Sequence, residues 1–348
     1  MFKIKDICIG LSYKPFIIAE MSGNHNQSLD RALEIVEAAA STGAHALKLQ
    51  TYTADTITLD VNEDEFFIKD KDSLWKGKSL YELYQEAYTP WEWHEPIMQR
   101  AKELGMLCFS TPFDDSAVDY LEDLDVPAYK IASFENTHLP LIKKVASTGK
   151  PMIISTGMAS VAELDGMVQT IRDAGCEKFI LLKCTSTYPA TPDNSNVLTI
   201  PHMRKLFNCE VGLSDHTMGI GTSIAAVAHR ATVIEKHFTL NRADGGVDSA
   251  FSMEPEEMKH LVIETERAWQ SLGQIKYGPS EAEKRSSIFR RSLYIAKDMK
   301  KGEIFTEKNL RIVRPGLGLP PKYYDVLLGR KVIKNLKKGT ATSWDIIV

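Results

Sequence analysis

Eight short apolar runs, spread over residues 16–238, constrain the fold of this chain more than any other feature. They are FIIAE (16–20), ALKLQ (46–50), LCFSTP (107–112), AYKIAS (128–133), PMIIST (151–156), FILLKCT (179–185), EVGLSDH (210–216) and VIEKHF (233–238). Each is apolar nearly throughout instead of alternating, as in strands of a parallel sheet buried on both faces. Helical patterns fill most of the gaps. SLDRALEIVEAAASTG opens on Ser28, an N-cap residue type, and closes on Gly43, while TPWEWHEPIMQRAKELG closes on Gly105. DDSAVDYLEDLD, THLPLIKKVASTG, SVAELDGMVQTIRDAG and IGTSIAAVAHRA occupy later gaps. Eight strand–helix units in about 270 residues predict an α/β chain folded as a (β/α)8 TIM barrel. A doubly wound sheet is the rival; it commonly has fewer strands, and no G-x-G-x-x-G follows the first run.

The pattern is interrupted twice. Residues 51–88 separate the second run from the next helical pattern, and a connection this long at the carboxyl end of a barrel strand more often covers substrate than fills space. After the helical stretch MEPEEMKHLVIETERAWQSLG, residues 273–289 turn polar with Gly and Pro and read as a linker. The expected division is a catalytic barrel over 1–272, the linker over 273–289, and a small β-rich domain over 290–348. So small a domain is expected to have little core of its own. Residues 285–348 hold 15 Lys and Arg against 5 Asp and Glu, although the whole chain carries 42 against 46. A basic tail beside an acidic body is either a solvated surface or a module that docks on an acidic rim or an anionic substrate.

The overall charge of −4 gives no reason to expect a nucleic-acid partner. The N-terminal stretch lacks the apolar core and small-residue cleavage site of a signal peptide, and no run of about 18 apolar residues occurs, so no membrane span is expected. Five scattered cysteines without a C-x-x-C pair read as reduced thiols of a cytoplasmic enzyme.

Function is legible where the runs stop being apolar, because the active site of a barrel lies at the carboxyl ends of its strands. The first run ends in Glu20, followed by Asn24 and His25; the second carries Lys48 and Gln50; the third Ser110 and Thr111. The fourth carries Lys130 and Ser133, with Glu135 beyond, and the fifth Ser155 and Thr156. The sixth brings Lys183, Thr185, Ser186 and Tyr188, the seventh Ser214, Asp215 and His216, and the eighth Glu235, Lys236 and His237. Every second side chain points inward, so Lys48 with Gln50, Lys183 with Thr185, Ser214 with His216, and Glu235 with His237 are expected to share faces. Cations and hydroxyls converging on one mouth suit a phosphate and a carboxylate. His216 and His237 close adjacent strands, and two imidazoles with waters and a nearby carboxylate suit a divalent metal such as Mn2+ or Zn2+. Glu20 is the candidate for that carboxylate or for a base acting on water. The plainer reading of one such histidine is a hydrogen-bonded structural residue; the pair on adjacent strands favours the metal. Lys130 or Lys183 as a Schiff-base amine is the competing chemistry, with a structural ion pair to a glutamate such as Glu235 as the bland alternative.

The motifs IAEMSGNH, LKLQTYTADT, YKIASFE, STGMAS, CTSTYP, VGLSDH and VIEKHFT, in this order, resemble those of the sialic acid synthase (NeuB-like) family. KDMKKGEIFTEKNL followed by RPGLGLPP resembles that family's C-terminal antifreeze-like (SAF) domain. The resemblance covers essentially the whole chain. It implies condensation of phosphoenolpyruvate with an amino-sugar aldehyde by a domain-swapped homodimer dependent on a divalent metal, Mn2+ first and Mg2+ or Co2+ as alternatives. On matching positions, His216 and His237 would be the metal ligands. Lys48, Thr111, Lys130, Ser133, Ser155, Ser186 and Ser214 would hold phosphoenolpyruvate. Gln50, Glu135, Tyr188 and Asp248 would face the sugar, and Arg314 would reach the partner's substrate. CTSTYP departs from the N-acetylneuraminate branch, which carries Asn where Ser186 stands. The loop DSLWKGKSLYELYQEAYTPWEWH, with CFSTPFDD and IASFEN, is more similar to the bacterial pseudaminic acid synthases. Trp75, Tyr81 and Tyr84 of that loop are expected either to pack on a deoxysugar's methyl and acetamido groups or to form the loop's own core. A non-enzymatic, ice-binding role is disfavoured because residues 285–348 are basic and irregular, without flat Thr-rich repeats.

Overall fold

The computed structural model describes residues 2–70 and 73–348. Lys71 and Asp72, within the long expected loop, lie outside the described residues. Two compact units emerge, Met1–Gly273 and Gln274–Val348.

The first unit opens with an antiparallel hairpin, β1 (Phe2–Ile4) and β2 (Ile7–Ile9). Eight parallel strands then close into a barrel: β3 (Phe16–Glu20), β4 (Ala46–Thr51), β5 (Leu107–Pro112), β6 (Tyr129–Ile131), β7 (Met152–Ser155), β8 (Phe179–Cys184), β9 (Glu210–Ser214) and β10 (Val233–His237). β10 pairs with β3 to complete the ring, His237 lying opposite Glu20. All eight coincide with the apolar runs of the sequence, their ends differing by two residues at most. The helices are α1 (Leu29–Ser41), α2 (Ala54–Ile57), α3 (Leu80–Ala87), α4 (His94–Glu103), α5 (Asp115–Asp123), α6 (Leu139–Ser147), α7 (Val161–Asp173), α8 (Thr199–Phe207), α9 (Gly221–Ala228) and α10 (Pro255–Leu272), of which all but α2 and α3 make up the outer ring. α2 and α3 belong to the long connection after β4. The Ser28 hydroxyl accepts the backbone N–H of Arg31, which satisfies one of the free donors at the start of α1. Gly43, just beyond α1, adopts φ +85°, a conformation open to a residue without Cβ.

Side-chain alternation divides the barrel core in two. Inward residues Phe16, Ile18, Ala46, Phe109, Ala128, Ile153, Ile180, Leu182 and Val233 fill the lower barrel, and Ile4 and Ile9 of the hairpin plug its amino-terminal end. Outward residues of the same strands, among them Ile17, Leu47, Leu49, Ile131, Leu181 and Ile234, pack under the helices. Gly212 is required by this packing: a Cβ there would lie 2.3 Å from the carbonyl oxygen of Val233 and 2.8 Å from Leu182. Two features were not expected. The hairpin plug is too short to give a periodic signal, and α8 falls in a stretch interrupted by Pro201.

The second unit begins within the expected linker, where α11 (Glu281–Lys284) forms a short capped turn. β11 (Ser292–Ile295) pairs antiparallel with β12 (Leu310–Val313), and α12 (Tyr324–Leu327) follows. Contrary to the expectation of little internal core, Leu293, Ile295, Met299, Phe305, Leu310, Leu327, Val332, Leu336 and Ile346 form a buried cluster. Isolated bridges such as Met299–Leu336 and Val332–Ile347 bring distant segments together around it, in place of long ladders. Among the described residues no helix is long and apolar enough to cross a membrane, and all five cysteines are free.

Candidate active site

Above the apolar plug, the strands turn polar and enclose a cavity of about 560 Å³. Its floor carries Glu20, Lys48, Gln50, Lys130, Ser133, Ser155, Ser186, Ser214, His216, Glu235 and His237. Thr111 lies just beneath, its hydroxyl accepting a hydrogen bond from the Lys48 ammonium at 3.3 Å. Lys48 reaches Glu20 at 2.9 Å and Glu235 at 3.6 Å, and Lys130 reaches the same Glu235 oxygen at 3.7 Å. Lys130 also donates to the Ser155 hydroxyl and the Ile131 carbonyl, and the Ser214 hydroxyl donates to Glu235. Glu235 therefore joins both lysines; on sequence it was placed at a strand end on one face with His237 and offered as an ion-pair partner, but was not counted among the binding residues. An alternation signal was present, since Glu235 and His237 are two apart.

Burial governs the electrostatics. It pushes the Glu20 carboxyl up to about 7, against the opposing pull of Lys48. The same cause raises Glu135 to about 7, and one of its carboxylate oxygens is buried without a hydrogen-bond partner. Burial also opposes ionisation of Glu235, but Lys130 and Lys48 outweigh it and hold that carboxyl below its ordinary range. Lys130 is lowered by burial. Its ammonium nevertheless faces a carboxylate, a hydroxyl and a carbonyl, an arrangement that suits anion binding more than a free amine nucleophile.

His216 and His237 come together as the strand order requires, with ring centroids 5.3 Å apart. The Nδ1 of His216 donates to the Thr185 carbonyl at 2.9 Å, so in the neutral ring Nε2 is the lone-pair nitrogen. Burial, reinforced by the charges of His216 and Lys48, keeps His237 far below the usual imidazole range and hence neutral. Its Nδ1 is buried without a hydrogen-bond partner; the Asp248 carboxylate is 3.6 Å away, too far for one. Burial opposes protonation of His216, but the Cys184 thiol and the Thr185 carbonyl hold that imidazole above its ordinary range; once its Nε2 gives up a proton, that nitrogen and the neutral His237 would fit a divalent ion. Among the described residues no ready-made group of three or more His, Cys, Asp or Glu ligands exists. An ion held by the two histidines alone would need oxygens of water or substrate for its remaining positions. The Tyr188 ring packs on His216 at 4.4 Å and on Phe251 at 5.3 Å.

One expected pair is misplaced. Lys183 and Thr185 were expected to point inward. In the structure Ile180, Leu182 and Cys184 occupy the inward positions of β8, so the residues between them face outward. The Lys183 ammonium donates to the Cys184 carbonyl and the Thr185 hydroxyl, and that hydroxyl donates to the Asn194 carbonyl. Cys184 and Ser186 take the inward places. Burial alone would raise the Cys184 thiol, yet His216, Ser133 and Lys130 bring it down to about 7. Asn24 and His25, noted after the first strand, turn away from the cavity to Phe238, Ser252 and Thr89. Arg314 belongs to the second unit, directly after β12.

Gly157 supports the floor and escaped the sequence reading. Its N–H donates to the Ser133 hydroxyl, and a Cβ there would lie 2.1 Å from the Ser186 hydroxyl and 2.7 Å from that of Ser133. The second wall of the cavity comes from the long connection after β4: Ile57, Ile68, Trp75, Leu80, Leu83 and Tyr84 all line it. The Trp75 indole N–H donates to the Val247 carbonyl at 2.9 Å, and its ring lies 6.0 Å from that of Tyr188. Tyr81 does not line the cavity; its hydroxyl donates to Asp55. Asp248 sits between the walls, hydrogen-bonded by the Ser22 hydroxyl.

The chain is similar to known proteins over nearly its whole length. A model of the NeuB family matches residues 35–277, and one of the SAF domain matches residues 290–348. A pseudaminic acid synthase of Campylobacter jejuni subsp. jejuni serotype O:2 is 44% identical over 328 residues, 94% of this chain and 95% of that protein. A pseudaminic acid synthase of Helicobacter pylori is 43% identical over 335 residues, 96% of this chain and 98% of that protein. The crystal structure of an N-acetylneuraminic acid synthetase from Leptospira borgpetersenii superimposes with a TM-score of 0.72 at 32% identity, covering 81% of this chain and 93% of that one.

Proposed function

The chain belongs to the NeuB family, and we propose that within it this protein condenses phosphoenolpyruvate with 2,4-diacetamido-2,4,6-trideoxy-L-altrose and water to give pseudaminic acid and phosphate. One observation carries the reading: a single cavity joins a cationic, hydroxyl-rich floor to an apolar wall. The floor suits the phosphate and carboxylate of phosphoenolpyruvate, and the wall suits the methyl and acetamido groups of a deoxysugar.

In this mechanism Lys48 and Lys130, with Thr111, Ser133, Ser155, Ser186 and Ser214, hold the two anionic groups and keep the enol C3 facing the sugar aldehyde. A bond forms between C3 and the aldehyde carbon as the aldehyde C=O π bond breaks and its oxygen takes up a proton to become the sugar hydroxyl, and positive charge develops at C2. Glu20 in its ionised form takes a proton from the water that adds to C2; the C–O bond to phosphate then breaks and phosphate leaves. Lys48 and Lys130 stabilise the charge on the departing phosphate. Gln50, Glu135, Tyr188 and Asp248 face the sugar. A divalent ion, Mn2+ first and Mg2+ or Co2+ as alternatives, held by His216 and His237, would supply Lewis acidity toward the aldehyde oxygen. The swapped homodimer, with Arg314 reaching a partner's substrate, rests on the family resemblance of RPGLGLPP, and cytoplasmic location is part of the same reading.

Mass spectrometry of products from phosphoenolpyruvate and each candidate sugar tests the proposal. A product with the altrose derivative and release of phosphate are expected. Turnover only with the legionaminic or neuraminic precursor would move the protein to another branch, and covalent trapping of pyruvate by borohydride would replace the mechanism with Schiff-base chemistry. Enzyme stripped by a chelator is expected to lose activity and to regain it with Mn2+; full activity without metal would remove the ion from the mechanism.

A further inference from the structure

β9 ends at Ser214, and its last ladder partner on β10 is Glu235. One more backbone bond follows, from the N–H of Asp215 to the Glu235 carbonyl. His216 therefore stands beyond the sheet, whereas His237 is the last residue of β10. The ladder does not set the distance between the two imidazoles.

A buried ion pair on the opposite face of the same strands occupies the place where that distance is decided. The Lys236 ammonium lies 3.0 Å from the Asp215 carboxylate and donates to the Thr217 carbonyl at 2.6 Å. One Asp215 oxygen accepts the N–H and hydroxyl of Thr217, and the other accepts the Ser223 hydroxyl from α9. One cation thus holds the residues before and after His216, and it precedes His237 in the chain. Both side chains are 1% exposed and face away from the cavity. A buried ion pair is often no more stabilising than apolar residues of similar volume, so stability alone is a poor reason for its presence between a strand and a helix.

We infer that the Asp215–Lys236 pair is a positioning device for the reaction: it fixes the gap between His216 and His237 from behind, so that both rings present to one divalent ion. The inference rests on the metal reading above. Asp215 and Lys236 touch neither substrate nor ion and act through the histidines.

Lys236→Met, Asp215→Asn and the double variant Asp215→Asn/Lys236→Met test it, with Mn2+ affinity measured directly by electron paramagnetic resonance titration. Either single change leaves a buried charge without its partner and lowers stability, so the double variant, which removes both charges, is the decisive one. With its melting transition retained, it is expected to bind Mn2+ about 10- to 100-fold more weakly, as loss of outer-sphere support for metal ligands does. Its kcat should fall while its KM for phosphoenolpyruvate stays put, because Lys48 and Lys130 are untouched. Lys236→Arg, which keeps the charge, should recover part of the affinity. A folded double variant that binds Mn2+ as tightly as wild type overturns the inference alone. So does parallel loss of Mn2+ and phosphoenolpyruvate affinity, which marks general loosening. Wild-type enzyme that binds no Mn2+ overturns the metal reading and this inference with it.

Discussion

Glu20 and Glu135 share one cavity and one cause of perturbation, burial, but differ in what surrounds them. Glu20 faces Lys48 and accepts from Gln50, while one Glu135 oxygen has no partner. A base must be ionised to act, and both carboxyls are pushed up to about 7, so activity should fall as pH drops through that value. The kcat/KM profile is expected to show an acidic limb with an apparent pKa of about 7. Glu20→Gln should remove that limb along with most of the activity, and Glu135→Gln should keep it while raising the sugar KM. A limb that survives Glu20→Gln assigns the titration elsewhere. Lys130→Met should raise the KM for phosphoenolpyruvate and also destabilise the fold by about 3–5 kcal/mol, because Glu235 loses one of its two buried cations. Calorimetry and steady-state kinetics on the same preparation separate the two effects. At this scale residue type and parity made most of the floor legible. They failed at β8, where a one-residue error put Lys183 and Thr185 inward and passed over Cys184, although Ser186 was named. A fully buried run carries apolar residues at both parities, so nothing local marks its inward face.

Among the elements, β9 and the connection after β4 make opposite demands. β9 must approach β8 and β10 closely, and Gly212 permits it. Gly212→Ala should cost about 1–3 kcal/mol through overpacking, read as a lowered melting temperature. The connection after β4 instead contributes side chains to the cavity. Trp75, anchored to the Val247 carbonyl, is the aromatic part of that wall. Trp75→Ala should lower kcat/KM for the deoxysugar by roughly 10- to 100-fold, the range of a lost apolar contact in a specificity pocket, with the phosphoenolpyruvate KM unchanged. Tyr81→Phe should be neutral, since its hydroxyl meets Asp55 and Gln85, neither of which lines the cavity. The sequence marked this segment by its length and named three aromatics, but which of them faced inward depended on how α2 and α3 folded against the barrel.

For the whole molecule, the proposed exchange between subunits has a sharp test. Glu20→Gln and Arg314→Ala homodimers are each expected to be impaired. Dissociated, mixed and reassembled, they should regain activity if Arg314 serves the partner's cavity, since one site of the mixed dimer is then intact. No recovery on mixing sinks the exchange. The sequence by itself determined the barrel, because eight doubly buried strands, each followed by a helix and without a G-x-G-x-x-G after the first, match a closed parallel ring better than a doubly wound sheet, and the strand ends then share one mouth. It also determined that two imidazoles would meet, as β9 and β10 are neighbours in the ring. Only tertiary structure decided which carboxylate bridges Lys48 and Lys130, which nitrogens of His216 and His237 stay free, and that Asp215 and Lys236 brace them from behind. Those outcomes depend on distances of a few ångströms between segments far apart in the chain, where burial turns ordinary side chains into strongly interacting ones.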